Sequence, residues 1–115
     1  MTRQTRPISW IMAARKDFEK FPVEAQLTCL DALTDAAEGG KSEIAKPLLG
    51  LGGAVFEIAL PYRGSAFRVV YAVRLADAIW VVHAFQKKST QGIKTPKHEI
   101  DLIQDRLKRL REMVR

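Results

Sequence analysis

Little in this sequence could build a metal or redox centre. It contains one cysteine and two histidines among 115 residues. Cys29 cannot form an intrachain disulfide, and its position in an apolar helical pattern predicts a small core residue in a reducing compartment. Neither Cys29 nor the two histidines, His83 and His98, have partners at the spacing of a zinc site. We therefore expect no metal site and no cofactor.

Phosphate-loop and membrane signals are also missing. Gly50, Gly52 and Gly53 lack a following Lys-Ser or Lys-Thr pair, so they do not predict the phosphate-binding loop of nucleotide hydrolases. No uninterrupted apolar run approaches the ~18 residues that a membrane span requires. The charged residues 1–6 are not followed by the apolar stretch of a signal peptide. The sequence therefore predicts a cytoplasmic protein with no membrane partner.

Acidic residues are scarce between positions 62 and 98, where Asp77 is the only one. The same segment holds seven cations: Arg63, Arg68, Arg74, Lys87, Lys88, Lys94 and Lys97. The remainder of the chain is balanced, so the formal net charge of +6 comes from this segment. A positive charge focused in this way favours an anionic ligand, and we expect that ligand to be a nucleic acid.

The N-terminal part predicts a strand followed by two helices. Residues 7–12 form a short apolar run that suits a strand. A short helix over 13–21 ends before Pro22, and a second helix runs from Val23 to the Gly39-Gly40 pair.

The second helix is predicted to be amphipathic. Leu27, Leu30 and Leu33 recur every three residues and predict its apolar face. Its exposed residues are all acidic: Glu24, Asp31, Asp35 and Glu38. This helix therefore either packs against the sheet or faces a basic partner, and it cannot bind the anion.

Three strands are expected next, over 54–60, 65–73 and 78–85, arranged as a meander. The Arg63-Gly64 pair suits a tight turn that places Leu60 opposite Phe67 and Ile58 opposite Val69. This register turns one face toward the helices: Phe56, Ile58, Leu60, Phe67, Val69 and Tyr71. The opposite face carries Glu57, Ala59, Arg68 and Val70.

Arg68 and the histidines each allow two interpretations. Arg68 has Glu57 as a diagonal neighbour, so either a salt bridge or a functional role explains it. His83 alternates with Val81 and Phe85, which predicts a place with them in an apolar layer, unless the loop over 74–77 shifts the register by one and turns it toward Arg68. His98, beside the lysines, could assist proton transfer or could simply be exposed.

The last segment predicts an amphipathic helix. Thr95 suits the N-cap and Pro96 the first helical position. The apolar residues that follow at three- and four-residue intervals are Ile100, Ile103, Leu107, Leu110 and Val114. The sequence as a whole predicts one α+β domain over 1–115 with a single hydrophobic core. In it, a small antiparallel sheet, made of the N-terminal strand and the meander, packs on the two N-terminal helices, and the last helix follows.

Several short motifs occur in a recognisable order: Lys46-Pro47-Leu48, Phe56-Glu57-Ile58, Tyr62-Arg63-Gly64, Phe67-Arg68-Val69-Val70-Tyr71, His83-Ala84-Phe85-Gln86-Lys87-Lys88 and Lys94-Thr95-Pro96. Over residues 46–110 they resemble the HigB-like branch of the RelE/ParE toxin superfamily. These are toxins of type II toxin–antitoxin systems, often found in phage-derived genes. The chain departs from this pattern at Phe56, where the family commonly has tryptophan, and by extra residues at 91–93.

The resemblance implies a RelE-like fold and a metal-independent endonuclease that cuts messenger RNA in the ribosomal A site. Arg68 matches the strand arginine that contacts the scissile phosphate in relatives, and Lys87 and Lys88 match catalytic basic positions. The flanking RNA would be bound by Arg63, Lys94, Lys97 and His98. The expected partners are the ribosome, its mRNA and a cognate helix-turn-helix antitoxin.

Two alternatives belong to other functional classes. A ParE-like relative would share the fold but act on DNA gyrase through protein contacts. A non-catalytic nucleic-acid-binding module would bind RNA in a salt-sensitive manner without cutting it.

Overall fold

The computed structural model describes residues 5–88 and 94–114, so the insertion at 91–93 lies outside the described part. Three helices and five strands follow one another in the order β1 (Ile8–Trp10), α1 (Met12–Phe18), α2 (Val23–Ala37), β2 (Ala45–Pro47), β3 (Val55–Tyr62), β4 (Ser65–Leu75), β5 (Ala78–Lys87) and α3 (Lys97–Met113). The strands form one sheet in the order β1-β5-β4-β3-β2. The predicted α+β class is confirmed.

The predicted meander is confirmed together with its register. Leu60 pairs with Phe67 and Ile58 with Val69 across β3 and β4. The turn between these strands has φ of 44° at Arg63 and 80° at Gly64. Two consecutive positive φ angles match the twist of the flanking strands, which is why a two-residue hairpin turn favours glycine at such a site.

The sheet differs from the expectation in two strands. β1 pairs with β5 in the parallel direction, so the sheet is mixed and the expectation of a wholly antiparallel sheet was wrong. β2 is an additional edge strand that pairs antiparallel with β3. Neither three-residue strand is long enough to show a periodicity. In β2, Pro47 also argued against a strand, because proline occurs in sheets almost only at their edges, and β2 is such an edge.

One face of the sheet packs against α1 and α2, as expected. The side chains buried there include Phe18, Cys29, Leu33, Ile58 and Tyr71. Burial raises the pKa of the Cys29 thiol to about 11, which fits an inert core residue.

The apolar face of α2 differs in detail from the prediction. Its buried residues are mostly small: Ala25, Cys29, Ala32, Leu33, Ala36 and Ala37. Leu27 was expected on this face but is 59% exposed. The small side chains set the stripe that faces the sheet, and Leu27 lies outside that stripe.

The opposite face of the sheet is covered by α3. Val55, Val70 and Val82 pack there with Ile103 and Leu107 in a second hydrophobic cluster. The expectation of a single core was therefore wrong, because the sheet is buried on both faces. The regularly spaced apolar residues of α3 form the second hydrophobic layer.

The start of α3 also differs from the prediction. The N-cap is Pro96, without a side-chain capping hydrogen bond, and the first helical residue is Lys97. Thr95 was expected to cap the helix, but its hydroxyl donates to a Glu57 carboxylate oxygen at 2.5 Å. Among the described residues, no helix is both long and apolar enough to cross a membrane.

The second core can be tested with a matched pair of leucines. Leu107 is fully buried, whereas Leu49 is 86% exposed. We expect Leu107→Ala to lower the free energy of unfolding by about 2–5 kcal/mol, since it removes buried contacts and leaves a cavity. Leu49→Ala should change it by less than about 0.5 kcal/mol. Urea denaturation measures both values, and equal losses would contradict the packing of α3 on the sheet.

Candidate functional site

The hairpin end of the sheet is not covered by α3, because the helix begins only at Lys97. A groove of about 930 Å³ opens there between β2, β3, β4 and the residues that precede α3. We call it the central groove. Its polar lining consists of Lys46, Glu57, Ser65, Arg68, Lys87, Lys94 and Thr95. Four cations and one carboxylate thus share one concave surface.

Arg68 lies in the wall of this groove in an ion pair. Its Nη1 donates to Glu57 Oε1 at 2.5 Å. Both residues are only 8% exposed. The other carboxylate oxygen of Glu57 accepts the Thr95 hydroxyl. Of the two interpretations of Arg68, the salt bridge is present. Because Arg68 also lines the groove, the pair does not remove it from the candidate site.

A second, smaller space adjoins the central groove at the end of β5. It measures about 350 Å³, and we call it the side pocket. Its charged and titratable lining consists of Lys87, Lys88, Lys94, His98 and Glu99. Lys87 and Lys94 line both spaces. The Lys87 ammonium donates to the Lys94 carbonyl oxygen at 2.5 Å, so this lysine also holds the segment before α3 against the sheet.

The structure brings together five of the seven predicted site residues. Arg68, Lys87 and Lys94 meet in the central groove, and Lys88 and His98 reach the side pocket.

The other two predicted residues, Arg63 and Lys97, line neither space. Arg63 is exposed on the hairpin, with its guanidinium carbon 5.4 Å from the centroid of the Tyr62 ring. Lys97 is exposed and pairs with Asp101 at 2.9 Å. A role for these two residues in RNA binding stays a prediction.

His83 lies on a different face from the one expected. Val70 pairs with His83, but Tyr71 pairs with Val81, so Val82 is an extra residue in β5. Such a bulge breaks the alternation of side chains. Val81 packs against the N-terminal helices, whereas Val82 packs against α3. The register shift therefore turns His83 to the Arg68 side together with Phe85, on which its ring stacks. His83 is buried, as the core interpretation expected, but it lies on the face opposite to Val81.

His83 is held in a buried polar cluster with two residues of α3. Arg106 Nη1 lies 3.0 Å from His83 Nδ1 and also donates to the Val82 carbonyl oxygen. Because arginine can only donate, Nδ1 is the acceptor and the imidazole proton is on Nε2. Nε2 donates to Glu99 Oε1 at 2.9 Å. Burial lowers the pKa of His83, against the opposing effect of the hydrogen bond that His83 donates to Glu99.

Four contributors to the site were not singled out from the sequence: Lys46, Thr95, Glu99 and Arg106. Lys46 reaches the groove because it pairs with Glu57 across β2 and β3. Glu99 and Arg106 are seven residues apart in the sequence, so they lie on the same face of α3 as Ile103 and Leu107. That seven-residue spacing was the one sequence signal that could have indicated that Glu99 and Arg106 lie against the sheet. Among the described residues, no three His, Cys, Asp or Glu side chains gather as metal ligands would.

Most of the chain matches the model of a known protein family. A family model described as "Phage derived protein Gp49-like (DUF891)" matches residues 16–108. The chain belongs to this family. The phage derivation that the resemblance implied agrees with this description. All the residues of the central groove and the side pocket lie within the matched range, so both spaces are features of the Gp49-like part of the chain.

One solved structure is similar to the Gp49-like chain. It is the crystal structure of the toxin–antitoxin complex RelBE2 from Mycobacterium tuberculosis, with 16% sequence identity and a TM-score of 0.47. The similarity covers 76% of this chain and 98% of that chain. No curated protein matches the sequence.

The lowered pKa of His83 predicts a loss of stability in acid. The unfolded chain takes up a proton near pH 6.5, whereas the folded chain resists it. The contribution of His83 to the free energy of unfolding is therefore complete above about pH 6.5. It falls by up to ~1.4 kcal/mol per pH unit as the pH decreases toward the lower pKa of His83 in the folded chain.

We expect His83→Gln to flatten this dependence between about pH 7 and 5, measured by urea denaturation. His98 is the other histidine of the chain and is exposed, so His98→Gln serves as the control and should keep the parental dependence. A His83→Gln profile that matches the parent would show that His83 is not the group responsible.

Proposed function

We propose that this chain is the toxin of a type II toxin–antitoxin system, in the HigB-like branch, and that it cuts messenger RNA on the ribosome without a metal. The observation that supports this most is the convergence of Lys46, Arg68, Lys87 and Lys94 on one groove. Cations that line one concave surface can contact successive phosphates of a single strand. The exposed Leu49, which also lines the groove, would offer apolar surface to sugars and bases.

The proposed cleavage begins with attack of a ribose 2′-oxygen on the adjacent phosphorus. The bond from phosphorus to the 5′-oxygen breaks, which leaves a 2′,3′-cyclic phosphate and a 5′-hydroxyl. Negative charge accumulates on the phosphorane oxygens in the transition state, and the groove cations stabilise it. Lys87 and Lys88 are the proposed proton donors to the leaving oxygen.

Arg68 is proposed to contact the scissile phosphate. In the absence of RNA its guanidinium is paired with Glu57, so a phosphate must share or replace that carboxylate as an acceptor. A planar guanidinium suits this exchange because it presents several N–H donors in a fixed geometry.

The proposed partners follow from the same resemblance. They are the translating ribosome with its mRNA, and a helix-turn-helix antitoxin. An antitoxin that covers the central groove would block it from RNA.

The proposal can be tested by removing two groove cations whose ammonium groups make no hydrogen bond to the described residues. Lys46 and Lys94 are both exposed, and the control pair is Lys16 and Lys20, two exposed lysines near α1, of which Lys20 also contacts Asp17 at 3.5 Å. The gene is induced in a bacterium and mRNA 5′ ends are mapped. We expect ribosome-dependent cuts in the parent, at least a tenfold reduction in Lys46→Ala/Lys94→Ala, and parental cutting in Lys16→Ala/Lys20→Ala.

The alternatives give different results in the same experiment. Growth arrest without mRNA cuts would favour a gyrase-directed toxin. Salt-sensitive RNA binding with neither cuts nor arrest would indicate a non-catalytic module. Equal reductions in the two double variants would show that net charge, rather than the groove, controls activity.

The role of Arg68 needs a variant that does not leave a buried carboxylate alone. Arg68→Met removes one partner of a buried ion pair and should cost about 3–5 kcal/mol of stability. Adding Glu57→Gln removes the stranded charge and should restore much of that loss. We expect the double variant to remain folded, by thermal denaturation, and not to cleave mRNA. Parental cleavage by the folded double variant would remove Arg68 from the site.

A further inference from the structure

The side pocket contains one carboxylate among its cations. Glu99 lines it together with Lys87, Lys88 and Lys94. A carboxylate weakens the affinity of a basic pocket for a polyanion, because it repels the phosphates that the lysines attract. Glu99 therefore lowers the affinity of the side pocket for a polyanion. A role in proton transfer would explain why a carboxylate is present there in spite of this cost.

A hydrogen bond from His83, which is itself held by Arg106, fixes the orientation of the Glu99 carboxylate. Its Oε1 accepts a hydrogen bond from His83 Nε2 at 2.9 Å. The imidazole is fixed in turn by Arg106, which lies 3.0 Å from Nδ1. The bulge at Val82 is what brings His83 to this face. This arrangement gives the carboxylate a defined orientation, as in catalytic groups whose base is oriented by a third residue.

Within the described residues, the other carboxylate oxygen of Glu99 takes part in no hydrogen bond. The Glu99 side chain is 16% exposed, and its Oε2 lies 4.0 Å from Nε2 of the exposed His98. Glu57, the carboxylate of the central groove, differs in this respect, since its two oxygens accept from Arg68 and Thr95.

The two spaces are arranged so that one nucleotide can enter both. Lys87 and Lys94 line the central groove and the side pocket. A phosphate that contacts both lysines would therefore lie where the two spaces meet, and Glu99 lines one of those spaces.

We propose that Glu99 is the general base of the reaction, with His83 and Arg106 as positioning residues. The inference rests on the proposed ribonuclease function. The Glu99 carboxylate takes the proton from the 2′-hydroxyl while the 2′-oxygen bonds to phosphorus. The bond to the 5′-oxygen breaks, and that oxygen takes a proton from a lysine ammonium of the pocket. Exchange with water then returns both groups to their starting protonation states.

The test uses the full chain on ribosomes programmed with a short defined mRNA, under single-turnover conditions. Glu99→Gln keeps an acceptor for His83 but cannot act as a base, so the cleavage rate should fall about 100-fold or more. Affinity for the programmed ribosome should not fall and should rise slightly, because the substitution removes a charge that repels phosphate. Asp105→Asn removes an exposed carboxylate from the same helix and should cleave at the parental rate.

A second variant distinguishes a catalytic from a structural role. Glu99→Ala leaves space for a small acid, and added formate should raise its cleavage rate at least tenfold. Formate should not accelerate the parent or Asp105→Asn. A structural role would lower the melting temperature of Glu99→Ala and give no rescue by formate, and that result would overturn the inference.

The two proposals fail in different ways. If the parent does not cleave under any condition, the ribonuclease function itself is wrong. If the parent cleaves and Glu99→Gln cleaves at the same rate, the ribonuclease function stands and Glu99 is not its base.

Discussion

The carboxylate of Glu57 links three parts of the chain that are distant in sequence. It lies on β3, one oxygen accepts from Arg68 on β4, and the other accepts from Thr95 in the segment before α3. Removing two charges from water is costly, and the cost is recovered only where the hydrogen bonds are short and the geometry is good. Here one carboxylate fixes both the wall of the central groove and the path by which the chain enters α3.

That entry path determines how much of the sheet remains open. α3 covers Val70 and Val82 but begins too late to cover the hairpin end, where Arg68 lies. The Lys87 hydrogen bond to the Lys94 carbonyl oxygen holds the same segment from the other side. The groove is therefore an uncovered part of a two-sided sheet, and its cations are positioned by strands and by a tethered segment rather than by a free loop. Groups positioned in advance lose less conformational entropy when a ligand binds.

Local patterns were sufficient for most of the fold. Alternation predicted β3, β4 and β5, and the Arg63-Gly64 turn set their register, because a hairpin is determined by residues close in sequence. The direction of β1 and the existence of β2 depend on contacts with strands far along the chain, and three residues carry too little pattern to show them. The face of His83 depends on the bulge at Val82, since one extra residue reverses the alternation beyond it.

The same distinction applies to the candidate site. The excess of positive charge and the quoted motifs pointed to Arg68, Lys87, Lys88, Lys94 and His98, because a charge can be counted without knowing the fold. The groups that hold or balance those charges could not be found in this way. The hairpin register was enough to place Glu57 beside Arg68, but not to find its second hydrogen bond, from Thr95. Glu99 would pass as an ordinary surface acid in a sequence, and only the packing of α3 on β5 places it beside His83 and the lysines. The central groove and the side pocket each contain one carboxylate among their cations, so neither is optimised for binding an anion alone, since each acid repels phosphate. Under the proposed ribonuclease function, the two acids would lower the affinity for RNA in the ground state, which suits a site that acts on one phosphodiester more than one that only retains a strand.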